Sequence, residues 1–105
     1  MIKAEFFSAD KALVGFRIKG HSGYAESGRD IICAFVSSAA YMAANTITDV
    51  IGIKADVSDG DGEMNLMITK NNADRCSDIL EGLRLHLINT EEQYPEFINV
   101  TTTEV

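Results

Sequence analysis

Residues 20–41, GHSGYAESGRDIICAFVSSAAY, join a glycine-containing loop to an apolar helix. The loop half contains three glycines, Gly20, Gly23 and Gly28. Asp30 then stands directly before the apolar positions, where a helix N-cap residue is expected. The sequence therefore predicts a helix that begins at Ile31 and carries Cys33 at about its third position.

Cys33 and His21 are candidates for a catalytic pair. Backbone N–H groups at the start of a helix have no intrahelical partners, and the helix dipole adds partial positive charge. Both effects stabilise a thiolate, and cysteine pKa values of roughly 3.5–7.5 occur in such settings. The imidazole of His21 could take the thiol proton and later protonate a leaving amine, while N–H groups beside Cys33 stabilise an oxyanion.

Each of these residues also has a purely structural interpretation. A cysteine near an apolar helix is often a small buried hydrophobe, and a loop histidine is often only solvated. Asp30 could cap the helix or orient His21, and Ser37 is a small residue that permits close packing. Tyr24 could line a substrate cleft or pin the loop.

The run from Gly20 to Ser37 resembles the Prp family of bacterial ribosomal-processing cysteine proteases, whose hallmark is GHxGYAxxGxDIVCAxVS. The matching positions are Gly20, His21, Gly23, Tyr24, Ala25, Gly28, Asp30, Ile31, Cys33, Ala34, Val36 and Ser37. Ile32 stands where valine is usual, a conservative change. The resemblance implies that Cys33 and His21 are the catalytic pair. We assign Cys33 as the nucleophile and His21 as the base and then the acid, and we expect the glycine-bearing loop to close on the substrate.

The resemblance also implies a substrate, a large-subunit ribosomal protein whose N-terminal extension the protease removes so that the ribosome can function. Two other classes of protein stay open at this point. One is a non-catalytic module that binds or assembles a ribosomal protein. The other is a thiol redox protein, which the absence of a C-x-x-C motif disfavours.

Length and charge restrict the other functions that the chain could have. The 105 residues predict a single domain over 1–105, and the net charge of −7 disfavours direct nucleic-acid binding. A basic protein partner fits this charge, and solubility alone accounts for it equally well. The N-terminus lacks the pattern of a signal peptide, so we expect a cytoplasmic protein. The apolar stretch from Ile31 to Ile47 is interrupted by polar residues and predicts no membrane span.

No cofactor is expected, and no metal. Asp59, Asp61 and Glu63 surround two glycines, but the flanking patterns are strands and the spacing does not fit a calcium loop. His21, Cys33 and Asp30 supply too few ligands for a structural zinc site.

The remaining pattern predicts an α+β two-layer sandwich of order ββα-ββα-β, with two helices on a mixed or antiparallel sheet. Predicted strands are 2–7, 12–19, 53–57, 64–68 and 97–103, and predicted helices run from 31 to about 50, ending at Gly52, and from 71 or 72 to before Pro95. Cys76 is expected in the core, and His86 at the surface or a dimer interface. Apolar surface left on an uncovered sheet face suggests a homodimer, as does the family resemblance.

Overall fold

The structure, a computed structural model, describes residues 1–20 and 27–105, and for 27–30 it describes the backbone only. The five strands are β1 (Ile2–Ala9), β2 (Ala12–Lys19), β3 (Asp56–Gly60), β4 (Glu63–Met67) and β5 (Ile98–Glu104). The two α-helices are α1 (Ser27–Asn45) and α2 (Ala73–Gln93). A π-helical turn, Thr46–Ile51, continues α1, and a 3₁₀ turn, Lys70–Asn72, leads into α2.

The strands form one mixed sheet in the order β3-β4-β2-β1-β5. β1 pairs antiparallel with β2 and parallel with β5, while β4 pairs antiparallel with both β2 and β3. The observed element order is ββα-ββα-β, with the helices forming a second layer on the sheet. The predicted fold class and order are therefore confirmed.

Alternation along the first part of β1 and the last part of β2 places the core on one face of the sheet. Phe6 and Phe16 are fully buried and lie opposite each other, with ring centroids 6.1 Å apart. Burying a side chain of this size stabilises the fold by about 1.5–3 kcal/mol. The other face is mostly polar and includes Lys3, Glu5, Arg17, Lys19, Asn99 and Thr101. The expectation of apolar surface on this face of the sheet is therefore wrong.

The helix α1 begins earlier than predicted. It starts at Ser27, so that Asp30 lies inside the helix rather than at its N-cap, and Gly28 belongs to the helix rather than to the loop. An aspartate is favourable both at the N-cap and in the first turn, where it meets the positive end of the helix dipole. The presence of an acidic residue near a helix start thus does not distinguish the two positions.

The C-terminal end of this helical run is close to the prediction. Gly52 terminates it in the left-handed conformation, with φ of +83°. The π-helical turn before it was not predicted. In this segment the Thr46 hydroxyl donates to the Met42 carbonyl at 2.7 Å, and Thr48 donates to Ala44 at 3.1 Å. Such hydroxyl bonds to the backbone compete with regular helix geometry.

The third strand is displaced from its predicted position. β3 covers Asp56–Gly60, every residue of which is exposed, whereas Ile53 is buried before the strand begins. The hairpin turn to β4 carries positive φ at both central residues, +53° at Asp61 and +75° at Gly62. That is the backbone of a type I′ turn, which an Asp-Gly pair favours.

One helical run among the described residues, Ile31–Ile51, is long and apolar enough to cross a membrane by length and composition alone. The expectation that its polar residues alone exclude a membrane span therefore needs correction. Its inner side is buried in the common core through Val36, Ala40 and Ala43, and a core helix meets the same criterion. The absence of a membrane span stays a prediction.

Candidate active site

A cleft of about 410 Å³ lies between α1 and the β3–β4 hairpin, at the end of the sheet where β2 and β3 end and β4 begins. The helix contributes Cys33, Val36, Ser37, Ala40 and Tyr41. The strands and the hairpin contribute Ile2, Ile18, Gly20, Asp59, Gly60, Asp61, Gly62, Glu63 and Met64. The floor is apolar and one wall is acidic.

Cys33 presents a half-buried thiol to this cleft. Ser37 and Tyr41 follow at intervals of four residues and therefore share its side of the helix. All three line the cleft. The structure thus brings the predicted nucleophile into a concave site large enough to hold part of a peptide.

The backbone around Cys33 differs from the sequence-based expectation. Cys33 is the seventh residue of α1, counting from Ser27, rather than about the third. At this depth a backbone N–H bonds to the carbonyl four residues earlier, and the field of the helix end has weakened. The N–H of Cys33 is therefore not available as an oxyanion donor, and the helix start contributes less to thiolate stability than predicted.

Gly20 lines the cleft and directly precedes His21 in the sequence. Its φ is +95°, and an added Cβ would lie 2.6 Å from the carbonyl oxygen of Met1, so only glycine fits. Its N–H donates to the Gly62 carbonyl at 3.0 Å. The predicted site residues His21, Gly23 and Tyr24 lie outside the described residues, as does the side chain of Asp30.

A hydrogen bond between Tyr41 and Asp59 crosses from α1 to the hairpin and was not predicted from the sequence. The Tyr41 hydroxyl donates to the Asp59 carboxylate. This hydrogen bond, with some desolvation and the nearby Asp59 charge, raises the pKa of Tyr41 above the usual tyrosine value of 10.0. No local pattern pairs these residues, since one lies on a helix and the other on a strand.

The acidic turn considered as a calcium loop forms part of the cleft wall instead. Asp59, Asp61 and Glu63 all line it. Within residues 1–20 and 31–105, whose side chains the structure describes, no group of three or more acidic, histidine or cysteine side chains could hold a metal ion.

The second cysteine and the second histidine lie away from this cleft. Cys76 is fully buried, as predicted for a core residue. His86 lines a different groove, between α1 and α2, where its ring lies 4.9 Å from that of Phe35.

A helix-borne thiol in a cleft at the end of a mixed sheet has the accessibility that the nucleophile of a cysteine protease requires. The family model for Cysteine protease Prp matches residues 1–99. The chain therefore belongs to the Prp family of cysteine proteases, and the predicted family membership is confirmed.

Individual relatives agree with this assignment. The ribosomal processing cysteine protease Prp of Bacillus subtilis is 27% identical over an alignment of 101 positions that covers 90% of each chain. Two crystal structures of the ribosomal processing protease Prp from S. aureus superpose with TM-scores of 0.86, covering 98% of this chain and all of theirs. One, 24% identical, holds a substrate peptide, and the other, 25% identical, holds a covalently linked product peptide.

Proposed function

We propose that this protein is a cytoplasmic endopeptidase that removes the N-terminal extension of a large-subunit ribosomal protein. The observation that carries the proposal is Cys33, half-buried in a cleft, at the cysteine of the family motif. The peptide complexes of the S. aureus relative support a peptide substrate. A reducing compartment such as the cytoplasm would keep the Cys33 thiol in its reduced, nucleophilic form.

The charge of the protein supports a basic substrate such as a ribosomal protein. The net charge is −7, and the described lining of the cleft includes three carboxylates and no lysine or arginine. Such a field raises the rate at which a basic chain encounters the site.

In the proposed mechanism His21 takes the proton of Cys33, and the thiolate attacks the scissile carbonyl carbon. The C–N bond then breaks as the His21 imidazolium protonates the departing amine, which leaves a thioester on Cys33. Water, deprotonated by His21, attacks that thioester, and the thiol is released with the carboxylic acid. The reaction uses only the two side chains and water, and no cofactor enters it.

The direct test is incubation of the purified protein with an N-terminally extended large-subunit ribosomal protein, followed by intact-mass measurement. We expect two products whose masses sum to that of the substrate plus one water. An unchanged substrate mass under conditions in which the protein is folded would refute the proposed function.

We also propose a homodimer, formed through the outer faces of α1 and α2 rather than through the sheet. These helices border an apolar groove of about 800 Å³ that contains Phe35 and Met42. These two side chains are 45% and 53% exposed. The described groove lining contains no carboxylate. Copies of a chain with a charge of −7 repel each other, so a surface without carboxylates is where a second copy approaches at the lowest electrostatic cost.

Met42→Glu should shift the protein from dimer to monomer, because each copy would bury an unpaired carboxylate in the interface. Native mass spectrometry or light scattering measures the change. A matched control is Val57→Glu, which introduces the same charge at an exposed position on β3 and should leave the dimer intact. A wild-type protein that is monomeric at micromolar concentration would contradict the dimer.

A further inference from the structure

The β3–β4 hairpin is a wall of the catalytic cleft with few attachments of its own. β3 is an edge strand, hydrogen-bonded only to β4 within the described sheet, and all five of its residues are exposed. Burial of apolar side chains therefore does little to fix β3 in place. The position of the cleft wall depends instead on β4 and on hydrogen bonds at the hairpin's end.

Two hydrogen bonds attach that end to different parts of the site. The Gly62 carbonyl accepts from the N–H of Gly20, the residue immediately before His21 in the sequence. The Asp59 carboxylate accepts from the hydroxyl of Tyr41, which lies on α1 two turns after Cys33. The hairpin thus connects the helix that carries the nucleophile to the strand end that leads to the histidine.

We propose that this hairpin is a strut that sets the relative position of α1 and the end of β2, and that Tyr41 and Asp59 are positioning residues for the protease reaction. The inference rests on the proposed function, in which Cys33 and His21 act together. Neither Tyr41 nor Asp59 exchanges protons or electrons with substrate in this role. They hold the cleft wall so that the two reacting groups stay within reach of each other.

The chemistry of the Tyr41–Asp59 bond suits such a role. A phenol that donates to a carboxylate makes a charge-assisted bond, which is stronger than a neutral one. The raised pKa of Tyr41 extends the pH range over which the phenol can donate this bond. On the phenol side, the bond is therefore retained at pH 10.0 and below and is lost as the pH rises through the raised pKa of Tyr41.

The test compares Tyr41→Phe, which removes only the hydroxyl, with Tyr94→Phe, which removes the hydroxyl of a tyrosine outside the cleft at the end of α2. With an extended ribosomal protein as substrate, Tyr41→Phe should lower kcat about tenfold with little change in KM, because misplaced groups slow chemistry more than binding. Tyr94→Phe should match the wild type.

Amide hydrogen exchange at Gly20 supplies a readout that does not depend on catalysis. If the hairpin is a strut, loss of the Tyr41 hydroxyl should loosen the Gly20–Gly62 bond and accelerate exchange at Gly20 severalfold. Asp59→Ala should reproduce both the lower kcat and the faster exchange at Gly20. Asp59→Asn, whose amide oxygen still accepts from the phenol, should keep most of the activity that Asp59→Ala loses.

Ultraviolet titration gives an independent measurement of the Tyr41–Asp59 bond. The pKa of Tyr41 should be closer to 10.0 in Asp59→Asn than in the wild type.

The outcomes separate the strut from its alternatives. A lowered kcat with unchanged Gly20 exchange would mean that Tyr41 acts on the substrate directly and would overturn the strut. Faster exchange with unchanged kcat would overturn the positioning role. If the wild type itself cleaves no substrate, the proposed function fails, and the exchange and titration data still decide whether the strut exists.

Discussion

Replacement of Cys33 by serine is expected to abolish cleavage while leaving the fold intact. Serine is nearly isosteric with cysteine and Cys33 is only half-buried, so packing is retained. The hydroxyl is far less acidic than a thiol and does not form the nucleophilic anion under the same base. Loss of a catalytic nucleophile lowers kcat by about 10⁴-fold or more. Intact-mass kinetics on an extended ribosomal protein measure the loss, and circular dichroism confirms folding.

The second cysteine provides the matched control. Cys76→Ala removes a thiol that is fully buried in the core and distant from the cleft, so it should cost stability but retain cleavage. Iodoacetamide should label Cys33 much faster than Cys76. Burial raises the pKa of the Cys76 thiol, an effect that the charge of Arg75 partly opposes. Cleavage by Cys33→Ser near the wild-type rate would remove Cys33 from the mechanism.

The same variant distinguishes an enzyme from a binding module. A protein that only binds or assembles a ribosomal protein would keep its full function in Cys33→Ser, because the substitution leaves the surface nearly unchanged. An enzyme would keep the affinity and lose the turnover. Binding measured on the inactive variant therefore also gives a substrate affinity that cleavage does not disturb.

The predictable parts of the fold are those in which one local pattern determines the structure. The first part of β1 and the last part of β2 alternate apolar and polar residues, α2 carries an apolar stripe at helical spacing, and an Asp-Gly pair marks the second hairpin. The predicted boundaries are wrong where two local backbone conformations have similar energies. Ile53 and Ala55 fit the alternation of a strand, yet the chain reaches β3 only at Asp56. Asp30 fits an N-cap, yet the helix already begins at Ser27.

The candidate site also contains one part that the local sequence predicts and one part that it does not. Cys33 could be predicted because the motif around it is contiguous in sequence, and the structure places it in the cleft. The bond between Tyr41 and Asp59 could not, because it depends on how far α1 lies from the hairpin. The sequence indicated Asp59 only as one acidic residue of a turn. Its relation to the site arises from tertiary packing, which no local pattern specifies.

Replacement of His21 by alanine is expected to abolish most turnover while retaining substrate binding. Without the imidazole, no base takes the Cys33 proton and no acid protonates the departing amine. General acid–base catalysis by a positioned side chain contributes about 10²- to 10⁴-fold, and kcat should fall by a factor in that range. The pH dependence gives a second measurement. In the wild type, the plot of kcat/KM against pH should contain a limb that reports histidine ionisation. That limb should be absent from the same plot for His21→Ala.

His86→Ala is the matched control because His86 is the chain's second and last histidine. Its ring lies against Phe35 in the α1–α2 groove, whereas Cys33 faces the cleft on the hairpin side of α1. A base must come within hydrogen-bond reach of the thiol, and a side chain held in the other groove does not meet that condition. His86→Ala should therefore retain both binding and turnover. If it is folded and dimeric but inactive while His21→Ala cleaves normally, the catalytic base is His86 and the assignment of His21 is wrong.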